Sequence, residues 1–140
     1  MRAVLDANVF VSALIRPQGP PGQVVEKLLR DSAFELVASR PTLDELRHSL
    51  GYPRVRKYLA LSDEQLDGWV QALAAIAILV EGRVTRRVVE ADPADDMYVA
   101  AALDGMAEYI GTGDRHLLDL ENFEGIRLIE PRAFLASLKG

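Results

Sequence analysis

The chain has 140 residues, of which 49% are hydrophobic, and this predicts one globular domain spanning residues 1–140. Its formal net charge of −5, from 16 basic and 21 acidic side chains, argues against a protein that binds nucleic acid through a basic surface alone. The chain contains no cysteine, which excludes thiol chemistry and fits a cytoplasmic protein, and no apolar run approaches the ~20 residues that a membrane-spanning helix needs.

Short apolar strands alternate with helical segments along the chain. Residues 2–6 predict a strand, which leads into a helix ending near Ile15 and a Pro/Gly loop over residues 16–22. Later strands are predicted at FELVAS, AILVEG, EYIGTG and IRLIEP. Helices are predicted at GQVVEKLLRD, PTLDELRHSL, SDEQLDGWVQALAAIAIL, PADDMYVAAALDGM and PRAFLASL. This alternation predicts an α/β fold with a mostly parallel sheet of about five strands, covered by helices on both faces.

Acidic residues lie near the ends of the predicted strands. In parallel sheets, ligands bind outside the carboxyl ends of the strands, and Asp6 and Asp114 follow the first and fourth predicted strands. Each also suits a helix N-cap, Asp6 before the first helix and Asp114 before RHLLDL. Glu45 fits the fourth position of a capping box that begins at Thr42. Taken singly, capping is the better interpretation of Glu45 and Asp114.

Asp96 has no such structural explanation. In the segment DPADD, Asp92 suits the N-cap, Pro93 the first helical position and Asp95 the third. Asp96 then has apolar residues at i+3, i+4 and i+7, a pattern that faces the sheet. A carboxylate on an inward face needs a cation or a strong hydrogen-bond donor, because burying it alone is costly.

The candidate acids together favour a metal site. They are Asp6, Glu45, Asp96 and Asp114. Carboxylate oxygens suit hard cations such as Mg²⁺ and Mn²⁺. Two carboxylates ~4 Å apart repel by about 4 kcal/mol at an effective dielectric of 20, so a cluster without a cation would be strained.

The ordered segments DANVFVSAL, the Glu45 helix, DPADDMYVAAAL, TGDRHLLDL and IEPRAFL resemble the PIN-domain ribonucleases, over essentially the whole chain. The likeness is strongest to the toxins of bacterial toxin–antitoxin systems. It implies a PIN-like three-layer α/β/α sandwich in which Asp6, Glu45, Asp96 and Asp114 bind Mg²⁺ or Mn²⁺. It also implies that a metal-activated water cleaves RNA to a 3′-hydroxyl and a 5′-phosphate. If the protein is such a toxin, the resemblance implies that it binds a cognate antitoxin, forms a homodimer and has no membrane partner.

Secondary roles follow from the same resemblance. Asn8 is similar to the polar residue beside the first acid, and Thr112 to the hydroxyl that supports the site. Four further polar residues lie near these motifs: Asp95 and Asp119 are additional candidates for the edge of the site, whereas Arg115 and His116 have no required role in the pattern. We interpret the two acids among them as solvated helix residues.

Two other functions stay open from the sequence. DANVF is similar to the D-x-D-x-[TV] opening of haloacid-dehalogenase-like phosphatases, with Asp6 as nucleophile and Asp95 and Asp96 as the later metal pair. Against this, Asn8 replaces the general acid of that motif, and no lysine precedes the late pair in a suitable loop. The second alternative is a PIN-like module that binds RNA or protein without catalysis.

A basic cluster with an aromatic residue at its end follows the Glu45 helix. It consists of Arg54, Arg56, Lys57 and Tyr58. Such a cluster suits contact with RNA or with a partner protein, but we interpret it as a solvated helix face.

Overall fold

The computed structural model describes residues 1–139. The strands are β1 (Arg2–Leu5), β2 (Glu35–Ser39), β3 (Ile78–Val80), β4 (Tyr109–Gly111), β5 (Asn122–Phe123) and β6 (Ile126–Ile129). The helices are α1 (Ala7–Ile15), α2 (Pro20–Asp31), α3 (Arg40–Leu50), α4 (Pro53–Arg56), α5 (Asp63–Ile76), α6 (Asp96–Asp104), α7 (Arg115–Leu118) and α8 (Pro131–Lys139). A 3₁₀ turn, Pro93–Asp95, precedes α6. None of the helices within residues 1–139 has the length and apolarity needed to cross a bilayer.

The strands form one sheet in the order β3-β2-β1-β4-β6-β5. All neighbouring pairs are parallel except β5 and β6, which are antiparallel. The α/β fold with a mostly parallel sheet is therefore confirmed. The expected strand count misses β5, because two residues are too short to show any alternation of apolar and polar side chains.

Side chains of the central strands alternate between two hydrophobic cores. Ala3 and Leu5 of β1 pack with buried residues of α1, α2, α3, α5 and α8, whereas Val4 packs with α6. Leu36 and Val37 of β2 divide between the same two cores. Helices cover both faces of the sheet for this reason, which confirms the three-layer sandwich.

The start of α3 differs from the prediction. Ser39 is the N-cap: its Oγ accepts a hydrogen bond from the Thr42 amide at 3.3 Å, and Thr42 Oγ1 accepts one from the Ser39 amide at 3.0 Å. The capping box thus lies one turn earlier than predicted, because Pro41 is tolerated in the first turn of a helix. The prediction that Thr42 and Glu45 form the box was wrong, and Glu45 has no capping role.

The start of α6 also differs from the prediction. Asp92 makes no side-chain capping bond, and the segment after it forms the 3₁₀ turn before the α-helix begins at Asp96. The side-chain cap expected of Asp92 was therefore wrong. Two smaller differences are α2, which begins at Pro20 inside the predicted loop, and the short helix α4, which was not predicted.

The order of the strands creates a crevice at the carboxyl end of β1. The chain runs from β1 to β2 and β3 on one side, then returns to β4 and β6 on the other. Ligands in open α/β sheets bind where the strand order reverses in this way. Asp6 directly follows β1, and Asp114 lies three residues after the end of β4, so both acids are at this crevice.

Candidate metal centre

The crevice contains a cavity of about 190 Å³ whose polar lining is dominated by carboxylates. The acids that line it are Asp6, Glu45, Asp92, Asp95 and Asp114. Asn8, at the start of α1, lies on the rim with an exposed side chain. The structure thus brings together three of the four acids expected from the sequence, with two that were not expected.

Asp6 is held rigidly at the base of the cavity. It is 3% exposed, and its Oδ1 accepts a hydrogen bond from the Asn8 amide at 3.1 Å as the N-cap of α1. Its Oδ2 accepts one from the Thr112 hydroxyl at 2.8 Å. Burial raises the pKa of Asp6 above its usual value, and the nearby charge of Asp114 adds to the rise. The capping role and a place in the cavity are therefore compatible.

Thr112 connects the two strand ends that form the crevice. Its hydroxyl donates to Asp6 and accepts from the Asp114 amide at 3.0 Å, and the residue is fully buried. Asp114 in turn caps α7, because its Oδ1 accepts from the His116 amide at 2.7 Å. Through this one side chain, β1 and β4 set the separation of Asp6 and Asp114.

Asp95 lies in an unfavourable environment for a charged carboxylate. Carboxylate oxygens of Asp92, Asp95 and Asp114 lie within 4.8 Å of one another. Asp95 Oδ2 is buried without a hydrogen-bond partner among residues 1–139. Burial, followed by the charges of Asp114, Asp92 and Asp6, raises the pKa of Asp95 to about 7. A buried carboxylate oxygen without a donor is costly, so the geometry favours a cation at this point.

Two neighbouring helices complete the wall of the cavity. Glu45 of α3 is half-buried, and its Oε1 accepts from the Ser49 hydroxyl at 3.3 Å. The Tyr98 hydroxyl of α6 accepts from the Ala7 amide at 3.2 Å. Burial, together with the charges of Asp6 and Glu45, raises the pKa of Tyr98, which keeps it a neutral phenol.

The structure does not bring Asp96 into this cluster, which corrects the assignment made from the sequence. Asp96 is 4% exposed, and its Oδ1 accepts from the amides of Val88 and Val89 at 3.0 and 2.7 Å. It lines a different cavity, between α6 and the loop before it. The strong donor that its burial requires is the backbone of that loop. Asp95 takes its place because the 3₁₀ turn winds at 3.0 residues per turn and rotates Asp95 inward.

Sequence reasoning missed Asp92, Asp95 and Tyr98. The signal was present in part, since Asp92, Asp95 and Tyr98 follow at intervals of three residues and so lie on one side of the chain. Asp119, expected to be a solvated acid, is exposed and does not line the cavity.

The donor set fits a hard divalent cation. Every charged side chain that lines the cavity is a carboxylate, so the described residues provide no Lys or Arg to balance it. Oxygen-only ligands of this kind suit Mg²⁺ and Mn²⁺ rather than softer metals. The partnerless Asp95 oxygen and the grouping of three carboxylates within 4.8 Å are the observations that support this fit.

Comparison with known proteins identifies the class. A family model described as the PIN domain matches residues 2–116, so the chain belongs to the PIN-domain family. An uncharacterised protein of Methanocaldococcus jannaschii is 27% identical over 122 residues, which cover 87% of this chain and 76% of that protein. A chain in the crystal structure of VapBC2 from Rickettsia felis, bound to a DNA fragment from their promoter, superposes with a TM-score of 0.60. That match covers 93% of this chain and 98% of the other at 13% identity, and it shows a common fold.

Proposed function

We propose that the protein is a divalent-metal-dependent endoribonuclease and the toxin of a toxin–antitoxin pair. The observation that carries the proposal is the buried, partnerless Asp95 oxygen inside a group of carboxylates at the strand switch point of a PIN domain. A cavity with this composition has no evident role in stabilising the fold, because like charges within it repel.

The chain would hold Mg²⁺ or Mn²⁺ with Asp92, Asp95 and Asp114, and Asp6 and Glu45 complete the negative lining. When bound, the ion supplies Lewis-acid polarisation of the phosphodiester and acidifies a coordinated water. Thr112 fixes the carboxylate of Asp6, and Tyr98 anchors the start of α1 through the Ala7 amide. These two contacts fix the positions of the acids before a ligand binds, so little reorganisation of the side chains is required on binding.

The partners are proposed on the same basis. Membership of the PIN family and the fold shared with a chain of the VapBC2 structure support an antitoxin as binding partner. RNA as substrate, a homodimer, a cytoplasmic location and one domain over residues 1–140 remain part of the proposal. The phosphatase alternative gains no support, since one member of its late metal pair, Asp96, bonds to backbone amides instead.

The test is a cleavage assay on labelled RNA with EDTA, Mg²⁺ or Mn²⁺. We expect cleavage only with metal, 5′-phosphate product ends, and loss of activity in Asp95→Asn and Glu45→Gln. Asp119→Asn serves as the control for removal of an acid outside the cavity. A protein that leaves RNA intact but hydrolyses a generic phosphomonoester would establish the phosphatase instead, and one that does neither would be a binding module.

A further inference from the structure

Residues 46–62 form a basic segment within an acidic protein. The segment contains three arginines and a lysine but no acidic residue, although the chain as a whole has a net charge of −5. Two of these cations are neutralised, since Arg47 and Arg56 pair with acids of α5. Arg54 and Lys57 make no ion pair with any residue in 1–139; each lies instead over a tyrosine ring. The segment therefore has unbalanced positive charge.

Side chains on α3 and just beyond its end lead from the acidic cavity toward this charge. Glu45 lines the cavity, His48 follows it at i+3 on the same side of α3, and Tyr52 lies two residues beyond the end of that helix. The rings of His48 and Tyr52 meet edge to face, with centroids 4.9 Å apart. The guanidinium of Arg54 lies 5.4 Å from the centre of the Tyr52 ring. We call His48, Tyr52 and Arg54 the aromatic track.

The chemistry of the track suits a single strand of RNA. Aromatic rings and arginine planes stack on unpaired bases, whereas the bases of a duplex are already stacked on each other. The carboxylates of the cavity repel phosphates, and a cation at the end of the track attracts the phosphates of the nucleotides farther along the strand.

We infer that His48, Tyr52 and Arg54 are the side chains that bind the unpaired nucleotides beside the acidic cavity. This inference rests on the proposed ribonuclease function. RNA is favoured over a protein partner because the track begins one helical turn from Glu45, which lines the cavity, and ends in Arg54, which forms no ion pair within residues 1–139.

Binding is tested without metal, so that cleavage does not interfere. Fluorescence anisotropy in EDTA compares a short labelled oligouridine with an RNA duplex. Wild-type protein should prefer the single strand, and the double variant His48→Ala/Arg54→Ala should lose roughly tenfold or more of that affinity. Arg54→Ala alone should lower the slope of log K against log salt by about 0.7. Tyr52 is partly buried, so two variants separate loss of the ring from loss of the hydroxyl. Tyr52→Phe keeps the ring and should bind RNA like wild type, whereas Tyr52→Leu removes the ring and should bind more weakly.

The matched control is Arg127→Ala. The Arg127 guanidinium lies over the Tyr109 ring at 5.8 Å, but this pair is at the amino ends of β4 and β6, whereas the cavity is at the carboxyl ends of the strands. Its removal should leave RNA affinity unchanged. The inference is overturned if His48→Ala/Arg54→Ala binds oligouridine like wild type, if it loses duplex affinity equally, or if wild type binds no RNA, a result that would favour a protein partner instead.

Cleavage with Mn²⁺ separates this inference from the proposed function. A double variant with KM raised roughly tenfold and kcat unchanged supports the track as a substrate contact. Wild-type cleavage with an unchanged KM in the variant refutes the track and leaves the ribonuclease intact. Absence of cleavage by wild type, with single-strand binding still lost in the variant, refutes the ribonuclease and supports the track.

Discussion

Replacing Asp95 by Asn tests whether the acidic cavity is strained without metal. The substitution keeps the shape of the side chain and removes its charge. The pKa of Asp95 rises from 3.8 to about 7 in the folded protein, chiefly through burial and then through its acidic neighbours. At about 1.36 kcal/mol per pH unit, this interval corresponds to a ceiling of about 4 kcal/mol. Because Asp95 is partly exposed, solvent screening reduces the expected effect to about 1–2 kcal/mol.

The sign of the effect depends on pH. A carboxyl whose folded pKa is raised binds more protons when folded, so wild-type stability falls as pH rises from 3.8 to about 7. Above that range the full penalty is present, and below it both states are protonated and the penalty vanishes. Asp95→Asn should therefore stabilise the metal-free protein by about 1–2 kcal/mol at pH 8 and by less than about half of this at pH 5.

Urea unfolding in EDTA at the two pH values measures this difference. Asp119→Asn removes an exposed acid outside the cavity and should stay within about 0.5 kcal/mol of wild type at both. With Mn²⁺ present, wild type should gain melting temperature and Asp95→Asn should gain much less, because only the wild type has the full ligand set. A destabilised Asp95→Asn protein at pH 8, or a gain independent of pH, would refute the strained cavity.

Three other substitutions address single contacts. Asp96→Ala leaves two loop amides without an acceptor and should lower the free energy of unfolding in urea by about 1–3 kcal/mol. Asp96→Asn should keep the Mn²⁺-induced rise in melting temperature. Loss of that rise in a folded Asp96→Asn protein would show that Asp96 is a metal ligand. Thr112→Val removes the donor to Asp6 and should weaken Mn²⁺ binding about 10–100-fold by titration calorimetry, with unchanged affinity as the contrary result. Glu45→Gln should change the free energy of unfolding by less than about 1 kcal/mol, because Glu45 takes no part in the cap of α3. The same variant should lose RNA cleavage, and full activity would exclude Glu45 from the site.

Local patterns along the chain determined the class of fold and two of the acids in the cavity. The alternation of short apolar strands with helices predicts a parallel sheet before any contact is known. Asp6 and Asp114 each follow a strand and cap a helix, so their positions depend on residues within two or three places in the chain. Such short-range signals can be read from the sequence because the groups that satisfy them are sequence neighbours.

Only the tertiary structure decided between Asp95 and Asp96. Adjacent helical residues point about 100° apart, so an error of a few residues in the start of a helix changes which acid faces the crevice. Here a 3₁₀ turn precedes α6, and the amides that hold Asp96 come from a loop whose path over the helix is set by packing. The place of Asp92 has the same cause, because it joins Asp95 and Asp114 only once β4 pairs with β1. Contacts between residues far apart in sequence depend on the whole packed sheet, and no local pattern encodes them.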